Sequence, residues 1–461
     1  MDPSVNPNDV LFGGGAAKTF LHPLIAVLML IAIVLIYLLP RNKVIVAFLL
    51  AFFTIPIQQV ILIGPLHFPV LRVLILVGLV RTLIQGGGLT SKRRFPGGFN
   101  RVDIVVMLWI LTTFVFNWLQ WTSMSSFIKL AGDFLDSMGA YLVARYFIPD
   151  LDTFKRAVEA LAILCVIHGG LMMSEQYTHR NALEFLGPGN PQVREGHVRS
   201  EGIMGTLFSG TFGGVQAPLF IWLWTQKKAK KFAAIGLIGA AAIVMASHAS
   251  TAVLALLGSI VALCLWPLRK HMRMVRYGIL LVLIALQIVM HGPVWSLIEK
   301  IDLTGGSSNY HRYMLVDNTI RHFSQWWMIG YPYPGTWGFD MWDMCDQFVV
   351  CAITGGLLSL SLFILAYSWS FGAVGKARKR VSFDRNMEML LWCLGATLFA
   401  NFLSSFGINY MVQLQMLLFS VMASISTVVA EARQAAKQKV DSRADRVRIG
   451  MLSTQPVEQP V

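Results

Sequence analysis

The sequence predicts an all-α polytopic membrane protein of about 12–13 transmembrane helices with two long extracytoplasmic loops. Three observations predict it. Hydrophobic residues fill 55% of the 461 positions and charged residues only 13%, where soluble domains carry about 25% charged residues. Apolar runs of about 20 residues recur along most of the chain, each long enough to cross a hydrocarbon core ~30 Å thick. The runs are continuously apolar rather than alternating every second residue. Of the two structures that satisfy their own backbone hydrogen bonds in lipid, helices and closed barrels, only helices fit.

A polar segment, 1–22, comes first. Met1 to Phe20 lacks the cationic start and small-residue cleavage site of a secretory signal, so the first apolar run is expected to stay in the mature protein. Candidate spans follow at 23–39, 44–63, 68–86, 103–121, 126–147 and 154–173, forming an N-terminal set over 23–173. A first outer loop covers 174–202, and a central set over 203–291 holds spans 203–225, 232–249, 251–267 and 277–291. A large outer loop, 292–346, leads to a C-terminal set over 347–430, with spans 347–373, 388–406 and 409–430, and then a basic tail, 431–461. The first three runs are the least regular, because Gly64-Pro65 breaks the second and Arg72 lies inside the third. Strict counting gives thirteen spans and an external N-terminus; a re-entrant or interfacial segment there gives twelve and a cytoplasmic one.

Charge fixes the orientation. The net charge is +14, but it gathers in short loops: Lys92-Arg93-Arg94 with Arg101; Lys227, Lys228, Lys230 and Lys231; Arg269, Lys270, Arg273 and Arg276; and Lys376 to Arg385. The tail from Glu431 adds six more basic residues. All of them become cytoplasmic together when the spans alternate, which is positive-inside bias. No aromatic-basic array accompanies the charge, so a nucleic-acid partner is excluded. The five Cys (165, 264, 345, 351, 393) form no CxxC pair and imply no disulfide framework. There is no internal repeat, and no matched pair of broken helices of the inverted-repeat transporter kind.

Polar chemistry concentrates on the two outer loops. The first ends Val193-Arg194-Glu195-Gly196-His197-Val198-Arg199-Ser200-Glu201-Gly202 and runs on to Gly213-Gly214. Two Arg and a His among glycines can grip a phosphate with guanidinium forks and backbone N–H groups; the bland reading is a solvated loop with two Arg-Glu pairs. The second loop reads Ser307-Ser308-Asn309-Tyr310-His311-Arg312-Tyr313 and continues through Asp317 to Arg321-His322. An aromatic stretch from Trp326-Trp327 to Trp337 follows, suited to interfacial anchoring or to stacking on sugar rings. Positions 311, 315, 318 and 322 share one face if the stretch is helical. Asp340, Asp343 and Asp346 close the loop at a spacing of three, which suits one face of a helical turn and a hard cation. No compact ligand set such as HExxH or DxD occurs on the two outer loops, so no metal or other cofactor is expected.

Arg72, Arg81, Lys129, Asp133, Asp136 and His248 lie inside spans. A charge at a helix centre costs ~2.5–3.5 kcal/mol on insertion scales, so each needs a partner or water. Lys129 and Asp133 form an i, i+4 pair, Arg81 is expected to snorkel, and Arg72, near the outer end of its span, is placed to line a cavity open to the outside.

With these pieces in hand, the chain resembles the O-antigen ligase and O-antigen polymerase superfamily of bacterial envelope glycosyltransferases. The matching pieces are Arg199-Ser200-Glu201-Gly202 leading to Gly205 and Gly213, Ser247 to Thr251, His311-Arg312, and the Gly330 stretch leading to Gly355-Gly356-Leu357-Leu358. With the span layout the likeness covers most of residues 40–430. The resemblance implies a GT-C-like fold in the bacterial inner membrane and an undecaprenyl-diphosphate-linked glycan donor. It implies transfer to a sugar hydroxyl acceptor on the outer side, without nucleotide sugar, cofactor or metal, with polysaccharide-assembly proteins as candidate partners. The family arginines that contact the diphosphate map onto Arg199 and Arg312. The ligases place a His-Asn pair ahead of the last large span, whereas here Asp346-Gln347 stands nearest, so polymerisation suits this chain at least as well as ligation onto lipid A core.

The chemistry agrees. A departing diphosphate gathers negative charge, which fixed guanidinium groups can stabilise, and the attacking hydroxyl needs a proton acceptor, for which His311 or Asp346 is placed. Arg72, Arg194, His197, Tyr310, Arg321 and His322 are the further candidate substrate contacts. Two other classes compete: a transporter or flippase for a lipid-linked or anionic envelope precursor, which expects charges lining the midplane of several spans, and a scaffold within a polysaccharide-export assembly, which needs no Arg at the membrane mouth.

Overall fold

The computed structural model describes residues 19–64, 66–85, 95–194, 196–300 and 309–453. Lys92-Arg93-Arg94, Pro65, Glu195, Ser307-Ser308 and the start to Lys18 lie outside the described residues. Among those described, seven helices are long and apolar enough to cross a membrane, and the protein is a multi-pass helical membrane protein.

The N-terminal third departs most from expectation. Helices α1 (Pro23–Leu38) and α2 (Arg41–Thr54) turn about Leu39-Pro40. The run expected to span 44–63 stops at Thr54, because Pro56 lacks an N–H and pushes Ile55 into extended backbone (φ −92°, ψ 122°). The chain then forms a hairpin of β1 (Val60–Ile63) and β2 (Leu66–Pro69), pairing Val60 with Pro69 and Ile63 with Leu66, before α3 (Val70–Gln85). Gln59 ties the hairpin to both flanks, accepting from His22 N at 2.8 Å and donating to Leu186 O at 2.7 Å. The chain therefore enters on the same end as the first long loop. Arg81 does not snorkel. It is buried and donates to Leu39 O at 2.8 Å and to Ile36 O, closing the end of α1.

Helices α4 (Arg101–Gln120), α5 (Met124–Phe147) and α6 (Leu151–Thr178) follow, then a second hairpin, β3 (Gln192–Arg194) with β4 (His197–Arg199). The run expected at 203–225 is two short helices, α7 (Thr206–Gly214) and α8 (Ala217–Thr225), interrupted at Val215-Gln216 just ahead of Pro218. Then come α9 (Lys230–Ser247), α10 (Ser250–Cys264), α11 (Met272–Val289), α12 (Asn309–Arg321), α13 (Gln347–Arg380), α14 (Arg385–Ser404) and α15 (Val412–Ser453). Glycine lets α9 meet α6 at backbone distance: a Cβ on Gly239 would stand 2.5 Å from the Cys165 carbonyl carbon. No residue of α11 is buried.

Connections of opposite character gather at opposite ends. At the cationic end Arg269 and Arg378 share Glu388 at 3.1 and 3.6 Å. Nearby, fully buried Arg145 and Asp103 pair at 3.0 Å, with Tyr141 Oη donating to Asp103 at 2.6 Å. This pairing holds α4, α5 and α15 together rather than serving chemistry. The other end carries both long loops.

One helix shapes that end. In α13 the backbone leaves helical geometry at Gly355 and Gly356 (φ 63°, ψ −166°), and the chain folds back. Phe348 and Phe363 meet edge to face with centroids 5.2 Å apart, whereas a straight helix would separate residues fifteen apart by about 22 Å. Gln347–Thr354 is thus a short re-entrant arm that climbs to the break, after which the helix descends. The break is locked by the second loop: Tyr331 N donates to Ile353 O at 2.8 Å and Leu357 N to Trp327 O at 2.9 Å. Tyr367, about 16 Å down from the break at 1.5 Å per residue, reaches Ser405 at the end of α14 at 3.5 Å. The foot of the arm and the end of α14 therefore lie in a recess below the crest of α13.

Candidate functional site

The recess is built from three connections. The end of α6 holds the first. Glu175 accepts from Glu201 N at 2.7 Å and Gly202 N at 3.0 Å, and Gln176 Nε2 donates to Val198 O at 2.8 Å and Ser200 Oγ at 3.0 Å. Ser200 N donates to Ala246 O at 3.1 Å. The strand β4 is pinned on both sides of Arg199, whose side chain is half-buried. His197 is exposed and stacks on His248 at 5.1 Å; His248 ends α9 in left-handed backbone (φ 43°).

Helix α12 supplies the second connection. The expected helical stretch is present, and it turns Arg312 inward, 8% exposed. Arg312 Nη1 donates to Asn309 Oδ1 at 2.8 Å, and Nη2 donates to Thr251 Oγ1 at 3.1 Å and Gly407 O at 3.4 Å. One guanidinium thereby joins the second outer loop, the start of α10 and the turn after α14, all through neutral oxygens.

Asp346 supplies the last piece. It caps the re-entrant arm, with Oδ1 accepting from Phe348 N at 2.7 Å and Val349 N at 3.1 Å. It is fully buried, and Oδ2 has no hydrogen-bond partner. Burial pushes its carboxyl up to about 7, against the downward pull of the Val349 and Phe348 N–H groups and of Arg312.

The electrostatics connect these parts. Burial lowers the proton affinity of Arg199, and the Arg194 and Arg312 guanidiniums push the same way while Glu201 opposes them. Arg199 and Arg312 thus share one field. Arg72, Arg145, Arg269, Arg321 and Arg378 each pair with a carboxylate. Among the described residues Arg199 and Arg312 do not, and the Nε of each is buried without a partner. Buried donors left over on two like charges have the chemistry to receive an anion. Beside Asp346 runs an apolar groove of about 350 Å³ between α12 and the arm, lined by Ile320, Phe323, Phe348 and Phe406.

The remaining sequence-level candidates go elsewhere. Arg72 leaves the site altogether: it pairs with Asp136 at 2.7 Å and Asp133 at 3.3 Å between α3 and α5. His322 stacks flat on Trp337 at 5.0 Å and bonds Asn318 O through Nδ1, so it packs the loop. Exposed Arg321 pairs with buried Asp317 at 2.6 Å, and Tyr310 is exposed beside Tyr313. The acidic trio does not form one helical face, because Asp340 to Asp346 are turn and coil, with Asp340 in left-handed backbone (φ 60°). Instead His311, Asp340 and Asp343 bring one ligand atom each within 4.8 Å of one another, with Asp346 outside the group. His311 Nε2 lies 2.9 Å from Asp343 O, so His311 belongs to this cluster and Asp346 to the arginines.

Sequence reading missed Glu175 and Gly407, and quoted Asn309 without a role. Glu175 sits in the apparent end of a span, and a carboxylate there whose task is to receive backbone N–H groups carries no distinguishing pattern. Thr251 stood in a quoted stretch, but its service to Arg312 spans 61 positions.

The fold and site define a class: a polytopic helical membrane protein with two arginines that make no carboxylate ion pair among the described residues, and an apolar groove lined by Asp346, at its loop-bearing end. The chain matches no protein-family model, and no curated protein is similar to it.

Proposed function

We propose that the protein is a glycosyltransferase of a bacterial inner membrane, transferring or polymerising undecaprenyl-diphosphate-linked glycan units on the extracytoplasmic side, in the manner of the O-antigen polymerases and ligases it resembles. The observation that carries the reading is the pair of half-buried Arg199 and buried Arg312, each with a buried Nε lacking a partner and no carboxylate ion pair among the described residues, sharing one field, with an apolar groove fit for an isoprenoid chain beside Asp346.

In this reading the diphosphate lies between the two guanidiniums and the lipid follows the groove. The acceptor hydroxyl attacks C1 of the donor sugar, the C1–O bond to the diphosphate breaks, and its electron pair leaves with the diphosphate, where the arginines meet the new charge. The hydroxyl proton passes to Asp346, whose raised affinity suits a base working near neutral pH. Asp346 takes this role in preference to His311, whose ring is engaged at Asp343. Arg194, near Arg199, adds to the field that draws the anion in.

The test is Arg199→Ala and Arg312→Ala in cells making surface glycan. The reading expects unpolymerised lipid-linked units to accumulate while the protein remains inserted, and expects Arg312→Lys to fail too, since a point charge cannot reproduce the fork. Unchanged polymer from both alanine variants would overturn it. A second reading, a transporter for a lipid-linked or anionic precursor, draws support from the broken α13 and from the Arg72–Asp133–Asp136 group inside the helical region. It predicts that purified protein in vesicles moves the lipid-linked precursor across the bilayer without extending it.

A further inference from the structure

The re-entrant arm has two sides. Asp346, Phe348 and Val349 face the apolar groove, while Gln347, Cys351 and Thr354 face a different cavity of about 280 Å³, enclosed with α4, α5 and the segment leading into α15. We propose that this second cavity is a sugar-binding pocket that receives one ring of the hydroxylated acceptor; the inference rests on the transferase reading and adds to it where the acceptor sits.

The lining argues for a neutral, hydroxyl-rich ligand. Asp133, Asn117, Asn409 and Gln347 present planar carboxylate and amide groups, and Trp109 and Tyr410 add aromatic rings. A carboxylate only accepts and an amide both donates and accepts, which matches adjacent hydroxyls that each do both. Gln347 is held in place, its Oε1 accepting from Tyr410 N at 2.6 Å. The amides of Asn117 and Asn409 make no hydrogen bond with the described residues. The Trp109 indole N–H is buried, with no bond beyond its proximity to the Cys351 thiol, a poor acceptor.

Charge narrows the class further. Arg72 grips Asp136 through Nε and Nη2, with contacts of 2.7 to 3.0 Å, but touches Asp133 only once, at 3.3 Å. Lys129 also lies within electrostatic reach of Asp133. Two cations therefore balance two carboxylates, so a cation gains little here, and the carboxylates repel an anion. The Asp133 side chain stays 55% exposed, leaving it acceptor capacity for a ligand hydroxyl. The volume is at the small end of ligand pockets, ~300–1,000 Å³, which suits a single ring. The arm alone separates this cavity from the groove that Asp346 lines.

The experiment is saturation-transfer NMR on the full chain in nanodiscs, with D-glucose, D-galactose and N-acetylglucosamine as probes. At least one sugar is expected to receive saturation from the wild type. The transfer should drop at least fivefold in the Asn117→Leu, Asn409→Leu double variant and in Ser137→Phe, which fills the cavity while deleting only the Ser137 hydroxyl's bond to the Asp133 carbonyl. Gly372→Ala, where an added Cβ meets nothing within 4 Å, should leave it unchanged. No transfer to any of the three sugars, or equal transfer to both cavity-altered proteins, would overturn the inference. If Arg199→Ala and Arg312→Ala abolish polymer while the sugars ignore the cavity, only this inference fails. If the sugars bind but those arginine variants make normal polymer, the transferase reading fails instead.

Discussion

Replacing Gly356 with alanine tests the re-entrant arm, because the arm exists only if the chain can turn there. Gly356 holds φ 63° and ψ −166°, a region essentially restricted to glycine and costing ~1–3 kcal/mol for other residues. An added Cβ would stand 2.5 Å from Met328 O and 2.8 Å from Met328 C. These are main-chain atoms, so relief requires moving the 326–331 turn. That movement strains the Leu357–Trp327 and Tyr331–Ile353 backbone bonds, each worth ~0.5–1.5 kcal/mol net. Together the loss comes to about 2–6 kcal/mol. Thermal unfolding in detergent should show a clearly lowered midpoint for Gly356→Ala and a wild-type midpoint for Gly372→Ala, where a Cβ meets nothing within 4 Å on the same helix. Equal midpoints would refute the fold-back of α13, and with it the recess.

Three further outcomes follow from the site. With Asp346 as the base, its raised affinity of about 7 makes transfer rise as pH passes upward through 7 and level off above, and Asp346→Asn should remove both the activity and that inflection. The same carboxyl sets a stability trend of known sign. Its folded value exceeds its ordinary 3.8, so the contribution is complete below about pH 4 and lost as pH rises through 7; the gap in unfolding midpoint between wild type and Asp346→Asn, measured across that window, should shift in favour of the variant as pH rises. Glu175→Ala releases the Glu201 and Gly202 N–H groups that hold the segment after Arg199, so transfer in membranes should fall about 100-fold from misplacement alone with insertion unchanged. Activity near wild type would mean that segment needs no such tether.

Much of the fold was legible because lipid leaves so few options. Runs such as 103–121 and 232–249 match α4 and α9 within a few residues, and the alternation of Lys- and Arg-rich connections with neutral ones reappears as two distinct ends. What escaped notice is backbone punctuation inside apolar sequence. Gln347–Thr354 is as apolar as the helix it precedes, so Gly355-Gly356 read as a motif rather than as a reversal. Val215-Gln216 ahead of Pro218 was likewise absorbed into one span. At the site, Arg199 and Arg312 were visible as cations at a membrane mouth. Arg72 looked alike in sequence, yet its partners Asp133 and Asp136 lie 61 and 64 positions away, and only folding shows which arginine is already neutralised. The acidic trio failed for a related reason: spacing by three has meaning only on a helix, and Asp340 to Asp346 are not helical.

The most direct measurement is the affinity of the purified protein in nanodiscs for undecaprenyl diphosphate, compared among wild type, Arg199→Ala, Arg312→Ala and the double variant, with undecaprenol as the uncharged control. Two guanidiniums on one anion predict at least a tenfold loss for each single variant, a coupling of roughly 1 kcal/mol or more between the two changes, and little affinity for undecaprenol in any of the four. Equal affinities across the series, or undecaprenol binding as tightly as its diphosphate, would contradict the account.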